Sequence, residues 1–334
     1  MTVLFYSGLF LLSVFVTLGG CALFTNAIEW LGKRFNLSEG AVGSVLAALG
    51  TTLPETSIPI IAIFFGTGRE QTEVGLGAIL GAPFMLSTLV IPILATLLAI
   101  YARMGKRGRI FYLNYKAVTV DLSFFAVAYG VAIACVFVSS RLVHAAAAAG
   151  LIGLYLYYMK VKFGENDDEV GEGGIEPLIF SKASASPPYS MIGLQGMAGL
   201  VGLILGAHLF ISAAETIAAT LAMSPLILSL LVAPLATELP EMSNSFLWLY
   251  RKKDRLAVGN VTGAMVFQGT FPVSVGLLGT EWALRPTVLV TMVLAVIAAT
   301  SCLLQAAWGG YWRPWLLGGS ALLYIGYAIY LYNG

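Results

Sequence analysis

Apolar stretches long enough to cross a lipid bilayer follow one another along most of this chain, separated by short polar turns. A transmembrane helix needs about 20 predominantly apolar residues. On that rule the pattern predicts ten transmembrane helices, at 3–31, 37–66, 72–101, 117–139, 142–162, 190–221, 224–250, 255–279, 286–308 and 314–333. We therefore expect an all-α polytopic membrane protein.

Composition agrees with this prediction. Hydrophobic residues make up 58% of the chain and charged residues 10%, whereas soluble domains contain about 25% charged residues. The net charge of +1 argues against nucleic acid as a partner and leaves the lipid bilayer and inorganic ions. The sequence contains no nucleophile–base set and no phosphate-binding loop, so neither an enzyme nor a bound cofactor is indicated.

Charge asymmetry predicts the orientation in the membrane. Fifteen of the 18 lysines and arginines lie in the loops that follow the odd-numbered predicted helices or at the helix ends beside those loops. Because positive loops stay in the cytoplasm, both termini are expected outside and the acidic loop 164–189 inside. That loop lacks the ligand order of an EF-hand, which favours a solvated, partly disordered connector over a calcium sensor. The compact chain suggests the plasma (inner) membrane of a prokaryote.

One motif occurs twice within these apolar stretches. The sequence LGTTLPE at Leu49–Glu55 recurs as LATELPE at Leu235–Glu241, shifted by 186 positions. Each copy places a carboxylate directly after a proline in an apolar segment. A charge at bilayer depth is costly and normally marks an ion or substrate path. Proline also removes a helix hydrogen bond and frees a carbonyl that an ion can use.

The similarity at this offset extends back to Gly20 and Gly206 without a gap. Each half then holds five predicted helices, 1–163 and 190–334, joined by the linker 164–189. An odd number of helices makes the second half enter from the opposite face. The expected architecture is therefore two inverted five-helix repeats, with the substrate site near the middle of the membrane between them.

The expected ion site combines carboxylate, hydroxyl and amide oxygens from the two motifs and the helices that follow. Glu55 and Glu241 are the central carboxylates, and calcium takes about 6–8 oxygen ligands of this kind. The full set of expected ligands is Glu55, Glu241, Thr51, Thr237, Thr52, Glu238 and Gln268. For Gln268, and likewise for Asn260 and Thr262, an interhelical hydrogen bond is an equally good interpretation. Glu29 is interpreted as interfacial, and Asp121 as a local cap or ion pair.

The motifs resemble those of the cation/calcium exchanger superfamily. Residues 43–92 and 229–278 are similar to its two alpha-repeats, whose cores read G-T-S-L-P-E and G-N-x-x-G-S-N. The resemblance implies that Glu55 and Glu241 bind calcium and that Thr51 and Thr237 supply further oxygens. This chain departs from the pattern at Ala82 and Ala264, which replace serines, and at Gln268, where the sodium/calcium branch often carries aspartate. These departures affect the positions expected to couple sodium.

The expected function is an antiporter that exchanges Ca²⁺ for Na⁺ and works as a monomer. Two adjacent acids, Glu238 and Glu241, cannot both stay ionised cheaply without a cation, so H⁺ is the alternative counter-ion. The resemblance further implies that the first and sixth predicted helices slide during alternating access. A passive cation channel is less favoured, because the helices after each motif carry too few polar residues for a continuous pore.

Overall fold

The computed structural model describes residues 2–64, 69–108, 110–164, 175–182, 184, 186–220, 238–309 and 312–333. Within these ranges the regular structure is helical throughout, which confirms the predicted all-α class. The α-helices are α1 (Thr2–Arg34), α2 (Glu39–Ala41), α3 (Ala48–Phe64), α4 (Arg69–Met85), α5 (Ile91–Arg103), α6 (Tyr115–Val136), α7 (Arg141–Phe163), α8 (Tyr189–Thr220), α9 (Leu239–Tyr250), α10 (Asp254–Gly279), α11 (Pro286–Gly309), α12 (Pro314–Gly319) and α13 (Ala321–Asn333). Two π-helical segments, π1 (Val42–Ala47) and π2 (Leu86–Val90), interrupt the runs α2–α3 and α4–α5.

Eight helical spans among the described residues are long and apolar enough to cross a membrane. They correspond to the predicted helices except the second and the seventh. The second is present as the continuous run from α2 through π1 to α3. The seventh is described only from Leu239 onward, as α9. The membrane-spanning character is therefore confirmed, and the count of ten and the inverted repeat stay predictions.

Helix α10 is the centre of the bundle. It packs against α3, π1, α4, α6, α7 and α9. Of its 18-residue apolar stretch, 83% is buried inside the protein. Its sequence permits this because small residues alternate with apolar ones and leave room for neighbouring helices on every side. A helix that is buried all round presents each of its polar side chains to another helix.

Glycines set the closest approach to α10. A Cβ atom added at Gly259 would lie 3.0 Å from Ser44 Oγ, and one added at Gly263 would overlap the Ser44 backbone. This G-x-x-x-G pair thus packs directly against π1, which lies in the second predicted helix. At Gly77 and Gly81 of α4, an added Cβ meets no atom of the described residues within 4 Å. Close helix packing therefore explains the pair Gly259 and Gly263. Among the described residues it does not explain the pair Gly77 and Gly81.

Helices α1 and α8 form a separate pair along one side of α9 and π1. Their backbones touch at glycines: a Cβ added at Gly20 would lie 2.6 Å from the Leu203 nitrogen, and one at Gly202 would lie 2.9 Å from the Gly20 Cα. Small residues at a membrane helix crossing allow this approach. The outer faces of both helices remain apolar and exposed, as at Phe15 and Leu194.

The connector between the halves is more ordered than the sequence predicts where it is described. Leu178 is fully buried against Trp30 and Ile192, and the indole of Trp30 donates a hydrogen bond to the Glu176 carbonyl at 2.9 Å. The α1–α8 pair carries buried polar groups, and the connector backbone satisfies them. Residues 175–182 are consequently docked onto the α1–α8 pair through Leu178 and the backbone, while most of their side chains stay exposed. Most of the acidic part lies outside the described residues.

Candidate cation site

The second motif lies at the start of α9, facing the interior. Glu238 directly precedes the helix, and Glu241 lies in its first turn. Their exposed fractions are 1% and 0%. Pro240 occupies the first turn, where no backbone N–H donor is needed, so this proline breaks no described hydrogen bond. The unpaired N–H groups of a helix start favour negative charge, which offsets part of the cost of burying two acids.

Helix α10 runs back alongside α9 and supplies amide groups opposite the acids. The Gln268 amide donates a hydrogen bond from Nε2 to Glu238 Oε1 at 3.0 Å. Asn260 Nδ2 donates to the Glu241 carbonyl oxygen and to Ser245 Oγ, each at 3.1 Å. The predicted site residues Glu238, Glu241 and Gln268 are thus brought together.

Several oxygens of this cluster have no hydrogen-bond partner among the described residues. They are Glu238 Oε2, Gln268 Oε1 and Asn260 Oδ1, and each is buried. Buried polar atoms are almost always satisfied in proteins, by the chain itself, by water or by an ion. Carboxylate and amide oxygens are the ligands of hard cations such as Ca²⁺ and Na⁺, whereas zinc and copper prefer sulfur or imidazole.

The first motif is described in part. Thr51 and Thr52 lie in α3, are 2% and 1% exposed, and donate their hydroxyls to the carbonyls of the preceding turn, as Thr52 does to Ala48 at 2.7 Å. A hydroxyl that donates to the helix keeps lone pairs that can still face an ion. Helix α3 passes through Glu55 and packs on α10, but the Glu55 side chain lies outside the described residues, and so does Thr237. No group of three or more His, Cys, Asp or Glu suited to a metal occurs within the described residues.

A second buried carboxylate was not expected at the centre of a network. Asp121 of α6 accepts hydrogen bonds from Ser44 at 3.0 Å, Thr262 at 2.7 Å and Tyr158 at 3.0 Å. The fully buried Lys162 ammonium lies 3.2 Å from Asp121 Oδ1, the oxygen that also accepts the Tyr158 hydrogen bond. The interpretation of Asp121 as part of an ion pair is confirmed, with Lys162 as the partner. The expectation that its partners are local is wrong, because they come from three other helical segments. Thr262 therefore serves an interhelical hydrogen bond.

Glu29 is likewise buried inside the protein. Its carboxylate on α1 accepts a hydrogen bond from the Trp248 indole at 2.8 Å and forms an ion pair with Lys253. The next residue, Asp254, is paired with Arg107 from the loop after α5. These contacts join the turn between α9 and α10 to α1 and to that loop. No local sequence signal marks them, since each partner lies far away along the chain.

A family model described as "Sodium/calcium exchanger protein" matches residues 5–164 and 193–333. An uncharacterized membrane protein of Methanocaldococcus jannaschii is 24% identical over 262 residues, which cover 78% of this chain and 77% of that protein. The "Putative antiporter CaxA" of Alkalimonas amylolytica is 26% identical over 244 residues, covering 71% and 69%.

Solved structures of the sodium-calcium exchanger NCX_Mj have the same fold. The structure soaked with 2.5 mM Na⁺ and 10 mM Sr²⁺ aligns with a TM-score of 0.75 at 21% identity and covers 97% of both chains. The structure soaked without Na⁺ and Ca²⁺ gives a TM-score of 0.73 at 22% identity over 96% of both. Because the family model also covers both halves of the chain, this protein belongs to the sodium/calcium exchanger family.

Proposed function

We propose that this protein is a secondary active antiporter that exchanges Ca²⁺ for Na⁺ across the membrane. Family membership and the fold support a cation antiporter in general. The observation that carries the finer proposal is the pair of buried acids, Glu238 and Glu241, beside the amide side chains of Gln268 and Asn260 on α10. A charged cluster at this depth needs a cation, and a transported ion supplies one.

The proposed site contains Glu55, Glu241, Thr51, Thr237, Thr52, Glu238 and Gln268. Calcium and its counter-ions compete for the same carboxylates. The ion-free site carries too much negative charge to be exposed to a low-dielectric barrier cheaply. The conformational switch therefore proceeds only with the site loaded, which makes exchange obligatory and suppresses leak.

The proposed architecture is ten transmembrane helices in two inverted repeats, residues 1–163 and 190–334, with the cytoplasmic linker 164–189 between them. Both termini would be extracytoplasmic, in the plasma membrane of a prokaryote. The α1–α8 pair is the proposed moving element, since its glycine crossing holds the two helices together as one unit and their outer faces are apolar. The rest of the bundle, centred on α10, would stay fixed.

Protons are the second proposed counter-ion, favoured by one specific observation. Glu238 directly precedes the helix that carries Glu241, and its carboxylate contacts an amide rather than a basic side chain. Two neighbouring acids without a basic partner on Glu238 are cheapest when one is protonated. A proton released on calcium binding would then travel in the opposite direction.

The test is ⁴⁵Ca²⁺ uptake into proteoliposomes loaded either with Na⁺ or with acidic buffer, each against a no-gradient control. Uptake driven by outward Na⁺ supports the proposal, and uptake driven only by H⁺ supports the proton version. The variant Glu55→Gln should abolish both, whereas Glu281→Gln, in an exposed loop, should leave them unchanged. Uptake without either gradient would overturn the antiporter and favour a channel.

A further inference from the structure

We propose that Asn244 and Asn260 form a second cation subsite next to Glu241, which takes a monovalent cation. The proposal rests on the proposed function and assigns a separate place to the counter-ion. The polar groups between α9 and α10 fall into two levels, because α10 presents Ala264, which has no side-chain oxygen, between Asn260 and Gln268. Glu238 and Gln268 make one level, and the turn from Glu241 to Ser245 with Asn260 makes the other.

Asn244 is the first observation that points to a ligand. Its side chain is 0% exposed, and neither Oδ1 nor Nδ2 has a hydrogen-bond partner among the described residues. A buried polar group without a partner costs about 1–3 kcal/mol. Two such atoms on one side chain require water, an ion or both in contact with the amide.

Asn260 is the second observation, and its orientation is fixed by chemistry. The Glu241 carbonyl can only accept a hydrogen bond, so the atom of Asn260 that faces it must be the NH₂ group. The same NH₂ group also contacts Ser245 Oγ. The Oδ1 atom is therefore the one left without a partner in the described part of the chain, and two hydrogen bonds hold it in place.

The spacing along α9 places Asn244 and Ser245 about one helical turn from Glu241. Asn244 and Ser245 follow Glu241 by three and four positions on α9, which places them on neighbouring parts of one helix face. Asn260 bridges Glu241 and Ser245 from the opposite helix. The subsite would thus combine Asn244 Oδ1, Asn260 Oδ1 and Ser245 Oγ, beside Glu241.

Charge decides which cation fits. Calcium affinity rises with the number of charged ligands, and apart from the Glu241 carboxylate the second level offers only neutral amide and hydroxyl oxygens. Neutral oxygens can replace the hydration shell of a singly charged ion, and no second carboxylate then has to be buried. The unpartnered Nδ2 of Asn244 can donate to a water bound to that ion, so that both amide atoms are satisfied.

The experiment uses the full-length protein purified in detergent, with ionic strength held constant by choline chloride. The melting temperature is measured while NaCl, LiCl, KCl or CaCl₂ is titrated, for the wild type, Asn244→Leu and the control Ser274→Ala. Ser274 is buried on α10, the helix that carries Asn260, and its hydroxyl has the Ala148 and Thr270 carbonyls as hydrogen-bond acceptors. We expect Asn244→Leu to raise the half-maximal concentration of the stabilising monovalent cation about tenfold, which corresponds to one lost amide ligand, and that of Ca²⁺ less than twofold.

Each other outcome overturns the subsite. An unchanged monovalent titration would indicate a water-filled pocket, and equal shifts for both ions would indicate a general distortion. If Asn244→Leu does not fold, Asn244→Asp should lower the half-maximal Ca²⁺ concentration about tenfold, because it adds a charged ligand. A wild type stabilised by Ca²⁺ and by no monovalent cation overturns the subsite alone. A wild type that responds to no ion overturns the proposed function with it.

Discussion

Asp121 and Glu238 are both carboxylates buried in the same bundle, yet their surroundings differ. Asp121 accepts three hydroxyl hydrogen bonds and has the Lys162 ammonium beside it. Glu238 receives one amide hydrogen bond, from Gln268, and its second oxygen has no partner among the described residues. The cation beside Asp121 belongs to the chain itself. Glu238 has no basic partner among the described residues, which agrees with the proposed binding of an exchangeable cation.

The largest expected effect comes from removing the permanent cation. Lys162→Met should lower the free energy of unfolding by about 3–5 kcal/mol, because Asp121 would stay buried without a basic partner. The measurement is the unfolding equilibrium of the purified protein in detergent. Adding Asp121→Asn to Lys162→Met should recover at least half of the loss. A double variant no more stable than Lys162→Met would show that the pair is not the stabilising element.

The next effect comes from giving Glu238 a cation of its own. Gln268→Lys should place an ammonium where the amide now donates, about 4 Å from an incoming Ca²⁺, where charge repulsion is worth several kcal/mol. The half-maximal Ca²⁺ concentration for thermal stabilisation should rise at least about 100-fold. The control Gln268→Leu removes the amide without adding charge and should shift it about tenfold or less. Equal shifts in the two variants would contradict the charge argument.

A smaller effect is expected from neutralising Glu238 itself. Glu238→Gln removes one of two neighbouring buried acids, so the ion-free protein should become more stable by about 1 kcal/mol. Calcium uptake at pH 6 and pH 8 should become more alike than in the wild type if Glu238 carries the exchanged proton. The matched variant Asp121→Asn should do the opposite and destabilise the protein. If both variants lose stability, the proposed difference between Glu238 and Asp121 is contradicted.

The smallest effect is expected at an ion pair in contact with water. Glu176 is more than half exposed, at 56%, and its carboxylate lies 3.1 Å from Arg251. Glu176→Gln should change the free energy of unfolding by at most about 1 kcal/mol, since exposed pairs contribute little. Glu29→Gln, which disrupts a buried pair with Lys253, should cost clearly more in the same unfolding experiment. Equal costs would mean that burial does not separate these pairs.

Much of the fold was predictable, because hydrophobic length is a local property of the chain. The described helices coincide with the predicted ones to within a few residues, as α6 does with 117–139 and α11 with 286–308. The π-helical segments and the docking of residues 175–182 onto α1 and α8 were not predicted. Both depend on which neighbours press against the chain, and hydropathy carries no such information.

The residues of the candidate site were likewise predictable from the sequence only in part. The repeated Pro-Glu motif identified Glu238 and Glu241, and the polar spacing on α10 identified Gln268. Asn244 was missed because asparagine in a helix normally has a satisfied interhelical hydrogen bond. Only the structure reveals that its two polar atoms have no partner among the described residues.

The sequence by itself determined that this protein crosses the membrane many times and that its acids recur in two related motifs. Segment length and motif spacing are properties of the sequence itself, so no tertiary information was needed. The tertiary structure alone decided which buried acid has its own cation. Lys162 and Lys253 are ordinary basic residues in sequence, at the end of α7 and in the turn before α10. In the packed bundle Lys162 contacts Asp121 and Lys253 contacts Glu29, whereas Glu238 contacts the amide of Gln268. The sequence does not predict these partners, because they depend on the distances between helices.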